Sequence, residues 1–501
     1  MSDEHFNACD YLLDRQVAAG GGDRLALTGV AGELTYAQLL ERVKQTAASL
    51  RQTGLQPEQR VLMVMSDSPD FVITYLAAMR IGAVPVPVST MLRAAGLAEI
   101  VTDSRARLVL VTPEFRDLAA QAAGELAVLS VAELPVGADD SLHATKADDP
   151  AFWLYTSGTT GLPKGAMHRH GSIRVTCETY GTQVLGITAD DRCLSAAKAF
   201  FAYGLGNSVL FPLSVGAATI LEPAPARPDT VVERVQTYGA TLFFAGPTFF
   251  ANMLHGDMRE DALNGVRLAA SAGEALPANL YERWTSRFRV DILDGIGMTE
   301  MLHIFLSNRP GEVRPGTTGR AVPGYDLSVR DDDGHEVARG TPGTLFVRGA
   351  STATGYFSRY DASRQVFQGE WLRTGDTYVQ DEEGYYACLG RTGDMLKASG
   401  IWVSPAEVEA RLLSHDAVAQ AVVVAARDLD GLEKPVAYVV MQDGATASED
   451  ELIGWCRAAL PSFKRPRKVV FVDAYPTTAT GKIRRVELRA MAATVLTAAP
   501  A

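Results

Sequence analysis

The feature that most constrains the fold is a regular alternation of apolar runs with helical spacings in the first third of the chain. RVLMVMSD (60–67) is an apolar run that ends in turn residues. SPDFVITYLAAMRIG (68–82) then carries apolar residues at helical spacing, with Gly82 as its stop. AVPVPVS (83–89) and RLVLVTP (107–113) repeat the extended pattern. Continuous apolar strands separated by helices are the pattern of βα units around a mostly parallel sheet buried on both faces. At 501 residues the chain is too long for a single core, because cores stop growing near roughly 250–300 residues. The expected class is therefore α/β, with more than one domain.

The rest of the chain departs from this pattern in two places. Residues 305–390 are dense in Gly, Pro, Thr and Arg and hold short alternating runs such as GTLFVRG (343–349), which predicts a small β-subdomain. Beyond it lies a smaller α+β unit. Ser404 and Glu407 form an S-x-x-E capping box with Pro405 at the first helical position, and Ser448 and Glu451 form a second. AVAQAVVVAA (417–426), PVAYVVM (435–441) and KVVFVDAYP (468–476) read as strands. The domain boundary is placed in GRTGDMLK (390–397).

Charge and cysteine usage narrow the function. With 47 Lys+Arg against 59 Asp+Glu the net charge is −12, which argues against a general binder of nucleic acid or of an anionic membrane. No apolar run approaches the ~20 residues of a membrane helix. Five widely spaced cysteines (Cys9, Cys177, Cys193, Cys388 and Cys456) make neither a disulfide framework nor a zinc ribbon. The acidic start MSDEHFNACD has no apolar signal segment, so cytoplasm is the expected compartment. Any anionic ligand must be held by local positive groups.

The strongest local motif is TSGTTGLPKG (156–165), which follows the strand-like AFWLY. Its glycines leave backbone N–H groups open, and Thr156, Ser157, Thr159, Thr160 and Lys164 add four hydroxyls and an ammonium, a donor set suited to a polyphosphate. The spacing is not that of a Walker loop, G-x4-G-K-S/T, so a P-loop kinase or ATPase is set aside.

This decapeptide resembles the phosphate loop of the acyl-adenylate-forming superfamily, which includes AMP-dependent acyl-CoA synthetases, peptide-synthetase adenylation domains and luciferases. Four more matches follow in order: GMTE (297–300), RTGD (373–376), the domain-joining stretch 390–407, and PTTATGK (476–482). The resemblance spans essentially the whole chain. It implies a large N-terminal domain, 1–392, that binds ATP and the acid, and a small mobile C-terminal domain, 393–501, that carries a catalytic lysine. It also implies a two-step reaction. A carboxylate attacks the α-phosphate of ATP to give acyl-AMP and pyrophosphate, and a thiol then displaces AMP.

The roles implied by the resemblance fit the chemistry of each residue. Lys482 matches the catalytic lysine, whose ammonium can bridge carboxylate and α-phosphate, two anions that must meet. Glu300 matches the Mg²⁺-linked glutamate, a hard oxygen ligand, and Thr299 a phosphate contact. Gly158, with the hydroxyls and Lys164 of the loop, belongs to the phosphate site. Asp376 and Arg391 match the ribose contacts. Gly273, Glu274 and Ala275, with Asp294, Gly295 and Ile296, match the adenine segments. Ile296 makes an apolar rather than a stacked contact. Where relatives often carry Arg-x-Asp-Asp at the joint, this chain has Arg391-Thr392-Gly393-Asp394. Gly393 therefore occupies the usual hinge position, and glycine tolerates the φ/ψ change that a hinge absorbs.

KAFFAYGLGN (198–207) lies where the family places its acyl pocket, and 196–213 contains no Asp to pair a substrate ammonium. With GMTEMLHIFLSNRPGE (297–312), this segment resembles benzoate-CoA ligases and related aryl-CoA ligases. The expected substrate is benzoate or a substituted benzoate, lined by Ala202, Tyr203, Gly297, His303 and Ile304. His303 is read as a neutral wall residue, with a hydrogen-bond donor to a ring substituent as the alternative. Ser399 and Gly400 lie where relatives pass the pantetheine arm. The basic run 461–485, with seven Lys and Arg against Asp473, is read either as a phosphate contact for coenzyme A or as a solvated edge. Free coenzyme A is the expected acceptor, since no carrier domain follows in the chain, and a separate carrier protein is the alternative. The sequence leaves a homodimer open.

Overall fold

The computed structural model describes residues 5–157, 163–256, 258–394, 396–398, 401–427, 433–477 and 483–495. By internal contacts the chain divides into two compact units, one of residues 1–327 and 347–372, the other of 328–346 and 373–501. This partition crosses the long strands Gly343–Gly349 and Trp371–Gln380 and does not follow the 392/393 joint.

The first unit is built on two sheets. The smaller has the order Val84–Pro87, Arg60–Val64, Leu108–Val111, Val128–Leu129, with every pair parallel. Between its first two strands in sequence lies the helix Pro69–Arg80. Ser68 caps that helix by accepting from the Phe71 N–H, Pro69 fills its first turn, and Gly82 leaves it at φ +74°. The larger sheet has nine strands. Its central run, Ile292–Gly297, Leu268–Ser271, Leu242–Ala245, Arg192–Ser195, Ala218–Leu221 and Leu25–Gly29, is parallel. Ile304–Ser307 and Arg320–Ala321 complete one edge antiparallel, and Leu34–Thr35 the other. Part of the expected β-subdomain thus belongs to this sheet. An edge strand reads in sequence like a free hairpin strand, because both alternate at period two. An apolar cluster covers one region of the large sheet, with Trp284 edge-on to Phe250 at 4.7 Å and 4.6 Å from Phe288.

The second unit has a three-stranded sheet of Val418–Arg427, Glu433–Met441 and Lys468–Phe471. The helices Pro405–Leu413 and Glu449–Arg457 bury Val408, Leu412, Leu452 and Cys456 in one cluster with Val423 and Val439. The helix Arg485–Val495 buries Leu488 and Ala492 with Val422, Val424 and Tyr438. Ser448 and Glu451 form the full capping box. At Ser404 only half of the expected box forms. The hydroxyl accepts from the Glu407 N–H, but the Glu407 carboxylate turns to Lys464 Nζ at 2.6 and 2.7 Å, a charge-assisted contact that outcompetes a backbone amide. All five cysteines are free thiols, and Cys388 alone is more than slightly exposed. Among the described residues no helix is long and apolar enough to cross a membrane.

Trp284 is fully buried between two phenyl rings, so Trp284→Ala leaves a cavity its neighbours cannot close. It is expected to cost about 3–5 kcal/mol, read as an earlier urea transition of the first unit.

Candidate active site

The hairpin Pro150–Ser157 and Pro163–Arg169 carries the phosphate-loop motif at its tip, with Thr156 opposite Lys164 and Ser157 opposite Pro163. Gly158, Thr159 and Thr160 lie outside the described residues. Below the tip, the segment 354–357 lies against the second strand of the hairpin. The Thr354 N–H donates to Met167 O, Met167 N–H to Gly355 O, and Phe357 N–H to Gly165 O, at 2.9–3.0 Å. This docking puts the Tyr356 ring 5.5 Å from Lys164 Nζ.

Thr299 and Glu300 arrive on the turn after the strand Ile292–Gly297. His168, on the hairpin, faces Thr299 O with Nε2 at 2.8 Å, and Ala353 N–H donates to Glu300 O at 2.8 Å. The Tyr356 hydroxyl donates to Glu300 Oε1. Glu300 is only 5% exposed, and among the described residues its carboxylate meets no Lys or Arg. A buried carboxylate held by a phenol and left without a counter-charge fits a bound divalent cation. Tyr356 is a site residue that the sequence reading missed. No motif spacing flags it, and it reaches Glu300 only through backbone pairing with a strand about 190 positions earlier.

Two residues beyond Glu300 the chain reverses. Leu302 takes φ +68° and ψ −48°, a region that a γ-branched residue enters only under constraint, and it is fully buried. The reversal lets Glu300 and His303 serve different partners. His303 Nε2 lies 3.2 Å from Tyr203 O, so that nitrogen must carry the proton. Burial lowers the imidazole to a pKa of about 3 and it stays neutral. The ring packs against Phe211 at 4.5 Å, Tyr180 at 5.3 Å and Tyr203 at 5.4 Å. With its one N–H spent on Tyr203, neutral His303 has no donor left, and its buried Nδ1 has no hydrogen-bond partner among the described residues.

The expected aryl-acid residues therefore converge. Tyr203 also donates through its hydroxyl to Ala270 O at 2.8 Å, on the neighbouring strand. A Cβ on Gly297 would fall 2.6 Å from His303 O, and one on Gly206 would fall 2.3 Å from His303 Cδ2. Ile304 is buried opposite Gly297, and Ala202 is half-buried beside Tyr203.

The adenine segments sit at adjacent strand ends, since Ser271 pairs with Asp294 in register. Gly273 (φ +99°), Glu274 and Ala275 are exposed just beyond the first strand, and Ile296 is half-buried on the second. Ligands of parallel sheets bind at such carboxyl ends. In the second segment the Asp294 side chain is buried. Burial raises its pKa well above the usual carboxylate range, while the Leu276 backbone and the Ser271 hydroxyl pull the other way. Its carbonyl accepts from Asn308 N–H, and Gly295 is closed in by Ile304. Both residues are buried at the strand end.

The remaining expected residues belong to the second unit. Asp376 and Arg391 pair across neighbouring strands, with Arg391 Nε 3.0 Å from Asp376 Oδ1. Lys482, Ser399 and Gly400 lie outside the described residues. The base of the lysine loop is described. Thr477 bridges Ile483, Arg484 N–H donates to Pro476 O at 2.8 Å, and Arg485 makes two bonds to buried Glu409 at 2.8 and 3.1 Å. The basic run is more neutralised than its composition suggests. Lys464 pairs with Glu407, Lys468 with Glu449, Arg484 with Glu487 and Arg485 with Glu409. At the joint, Asp394 is held by Arg489, while Gly393 is exposed with open space where a Cβ would stand.

Because the Gly206 position abuts the His303 ring, Gly206→Ala must displace that wall. The variant is expected to lose at least about tenfold in kcat/KM for an aryl acid with the KM for ATP unchanged, measured by steady-state kinetics.

Residues 13–357 match the AMP-binding enzyme family and residues 407–482 match the AMP-binding enzyme C-terminal domain. The chain is 44% identical to a benzoate–CoA ligase of Thauera aromatica, over 97% of this chain and 96% of that protein. It is similar to a crystal structure of a benzoate CoA ligase from Burkholderia xenovorans LB400, with a TM-score of 0.90 and 41% identity over 97% of this chain and 100% of that one. A crystal structure of the anthranilate CoA ligase AuaEII in complex with anthranoyl-AMP gives a TM-score of 0.92 at 35% identity, covering 98% of each chain. With both domains matched and near-complete coverage, this chain belongs to the AMP-binding enzyme family.

Proposed function

We propose that this chain is an AMP-forming acid–thiol ligase that converts benzoate or a substituted benzoate into its coenzyme A thioester, releasing AMP and pyrophosphate. The observation that carries this reading is the junction of the two half-sites on one hairpin. The strand Ile292–Gly297 leads to Glu300, a buried carboxylate that meets no Lys or Arg among the described residues, and three residues later to His303, a neutral imidazole packed among aromatic rings. One pocket suits a metal-bound polyphosphate and the adjoining one an uncharged ring.

In the first step the acid's carboxylate attacks the α-phosphate of ATP, the bond to pyrophosphate breaks, and an aroyl-AMP forms. Thr156, Ser157, Gly158, Thr159, Thr160 and Lys164 hold the phosphates. Gly273, Glu274, Ala275 and Ile296 border the adenine, and Asp376 and Arg391 take the ribose. Glu300, kept in place by Tyr356, would hold Mg²⁺, which supplies neutralising charge to the phosphates when bound. Lys482 brings a cation to the point where two anions meet. The aromatic wall of Tyr203 and His303 offers apolar area without charge, so the acid's ring is held while its carboxylate stays free to react. In the second step the coenzyme A thiol displaces AMP, with Ser399 and Gly400 beside the pantetheine arm.

The division of labour between 1–392 and 393–501 follows the same reading. The small domain turns at Gly393 between the two half-reactions, with Asp394 fixed to its own domain by Arg489. A carrier-protein thiol is the alternative acceptor.

A panel of benzoates with ATP and Mg²⁺, with and without coenzyme A and read by mass spectrometry, tests the reading. Aroyl-CoA is the expected product. Aroyl-AMP without thioester would shift the acceptor to a carrier protein, and no product from any aryl acid would overturn the substrate class. Lys482→Ala is expected to lose at least about a hundredfold in adenylation while thioester formation from supplied aroyl-AMP stays within about fivefold. Equal losses in the two half-reactions would remove the role given to Lys482.

A further inference from the structure

The loop 197–204, which carries Ala202 and Tyr203, is folded tightly on itself. Phe201 N–H donates to Lys198 O at 3.0 Å, Leu205 N–H to Phe201 O at 2.8 Å, and Ser195 Oγ to Ala197 O at 2.9 Å. Gly204 lies against the start of the loop so closely that a Cβ there would stand 2.1 Å from Lys198 O. There is no slack between Lys198 and Gly204, so a displacement at one end of the loop reaches Tyr203 at the other.

That start is held by charges that the proposed chemistry does not use. Asp67, 3% exposed, follows the strand Arg60–Val64 of the four-stranded sheet. Its Oδ1 accepts from Ala199 N–H at 3.0 Å, and its Oδ2 lies 4.0 Å from Lys198 Nζ. Lys198 Nζ also donates to Glu222 O and Ala224 O, past the end of the strand Ala218–Leu221 of the other sheet. The Glu222 carboxylate is taken by Arg234 Nε at 2.7 Å and by Ala224 N–H at 3.1 Å. Asp67 and Lys198 therefore tie the loop to both sheets of the first unit. An ion pair this buried is costly unless its geometry serves something, because both charges give up water.

We propose that Asp67 is a positioning residue for the aryl-acid pocket: its carboxylate, through Ala199 and Lys198, fixes the loop 197–204 and thereby the place of Tyr203 against the substrate ring. The proposal rests on the assignment of this loop to the acid pocket. It also makes the pocket sensitive to acid. Burial pushes the Asp67 carboxyl up to about 6 against the pull of Lys198 and the Ala199 N–H. The charged groups facing Asp67 are Lys198 and Glu222, with Arg234 behind Glu222. Glu114 lies one step away, bonded to Thr112, which in turn accepts from Ser66 N–H. As pH falls through about 6 the carboxyl gains a proton and the pair with Lys198 is lost. His303 and His168, at about 3 and about 4, do not change charge in that interval.

The test is Asp67→Asn, which keeps an oxygen for the Ala199 N–H and removes the charge. The KM for benzoate is expected to rise about tenfold, with kcat and the KM for ATP within about twofold. The wild-type KM for benzoate should climb between pH 7 and 5, while the variant stays at the high level throughout. Amide hydrogen exchange of 197–204, measured without substrate, should quicken in the variant. Lys198→Met should give the same pattern, and it replaces Asp67→Asn should that variant not fold. Unchanged exchange, or equal rises in both KM values, overturns the anchoring. Faster exchange with an unchanged KM for benzoate keeps the anchor but removes the loop from the acid pocket, which defeats the proposal. If the wild type activates no aryl acid, the substrate reading fails on its own and exchange still decides the anchor.

Discussion

The contact on which the candidate site depends is the hydrogen bond from Tyr356 to Glu300. A carboxylate taken out of water needs either a cation or donors, and here it has a phenol. A lysine or arginine at that point would neutralise Glu300 and leave nothing to attract a metal. The phenol satisfies one oxygen without adding a positive charge. Its placement is a backbone matter, since the ladder between 354–357 and Pro163–Arg169 carries Tyr356 beneath the Thr299–Glu300 turn and sets its ring beside Lys164. The phosphate hairpin, the Thr299–Glu300 turn and the Tyr356 segment are thus one assembly, closed by His168 on Thr299 O.

What the sequence shows most clearly is local. The helix after Ser68, the strand at GTLFVRG and the capping box at Ser448 all form where their short-range chemistry places them. What it hides is set by distance along the chain. Asp67 reads as a turn residue at a strand end, and its partners lie about 130 positions later. Tyr356 reads as one aromatic in a turn-rich stretch. Asp294 is placed by its sequence in an adenine segment, but which way its side chain points is set by register, because on a strand a shift of one position exchanges outside for inside; it points into the protein. The basic run 461–485 looked like a patch of free positive charge because its counter-charges, Glu407, Glu409 and Glu449, come from helices earlier in the chain. Composition registers charge but not its neutralisation.

The two halves of the first unit's site follow opposite electrostatic rules within a few residues. The rings that pack against His303 are uncharged. The imidazole is held unprotonated by burial, its one N–H is spent on Tyr203 O, and Phe211 and Tyr180 complete the wall. Around Glu300 a carboxylate is held by a phenol and meets no Lys or Arg among the described residues. The strained Leu302 lies between the two environments, where the chain turns so that Glu300 and His303, three positions apart, meet different neighbours.

This separation explains why a buried ion pair lies behind the aromatic loop instead of within it. Packing alone fixes a ring loosely, since apolar contacts have no direction. A charge inside the pocket would fix it well but would also bind water or a cation and compete with the neutral ring. Asp67 and Lys198 stand one layer back, joined to the loop through the Ala199 N–H and to the sheet through the Glu222 and Ala224 carbonyls. Their directional bonds hold the backbone, and the side chains facing the substrate remain free of charge. The arrangement gives the loop the rigidity of an ionic contact while keeping the pocket apolar, at the cost of making that rigidity depend on a carboxyl that takes up a proton near pH 6.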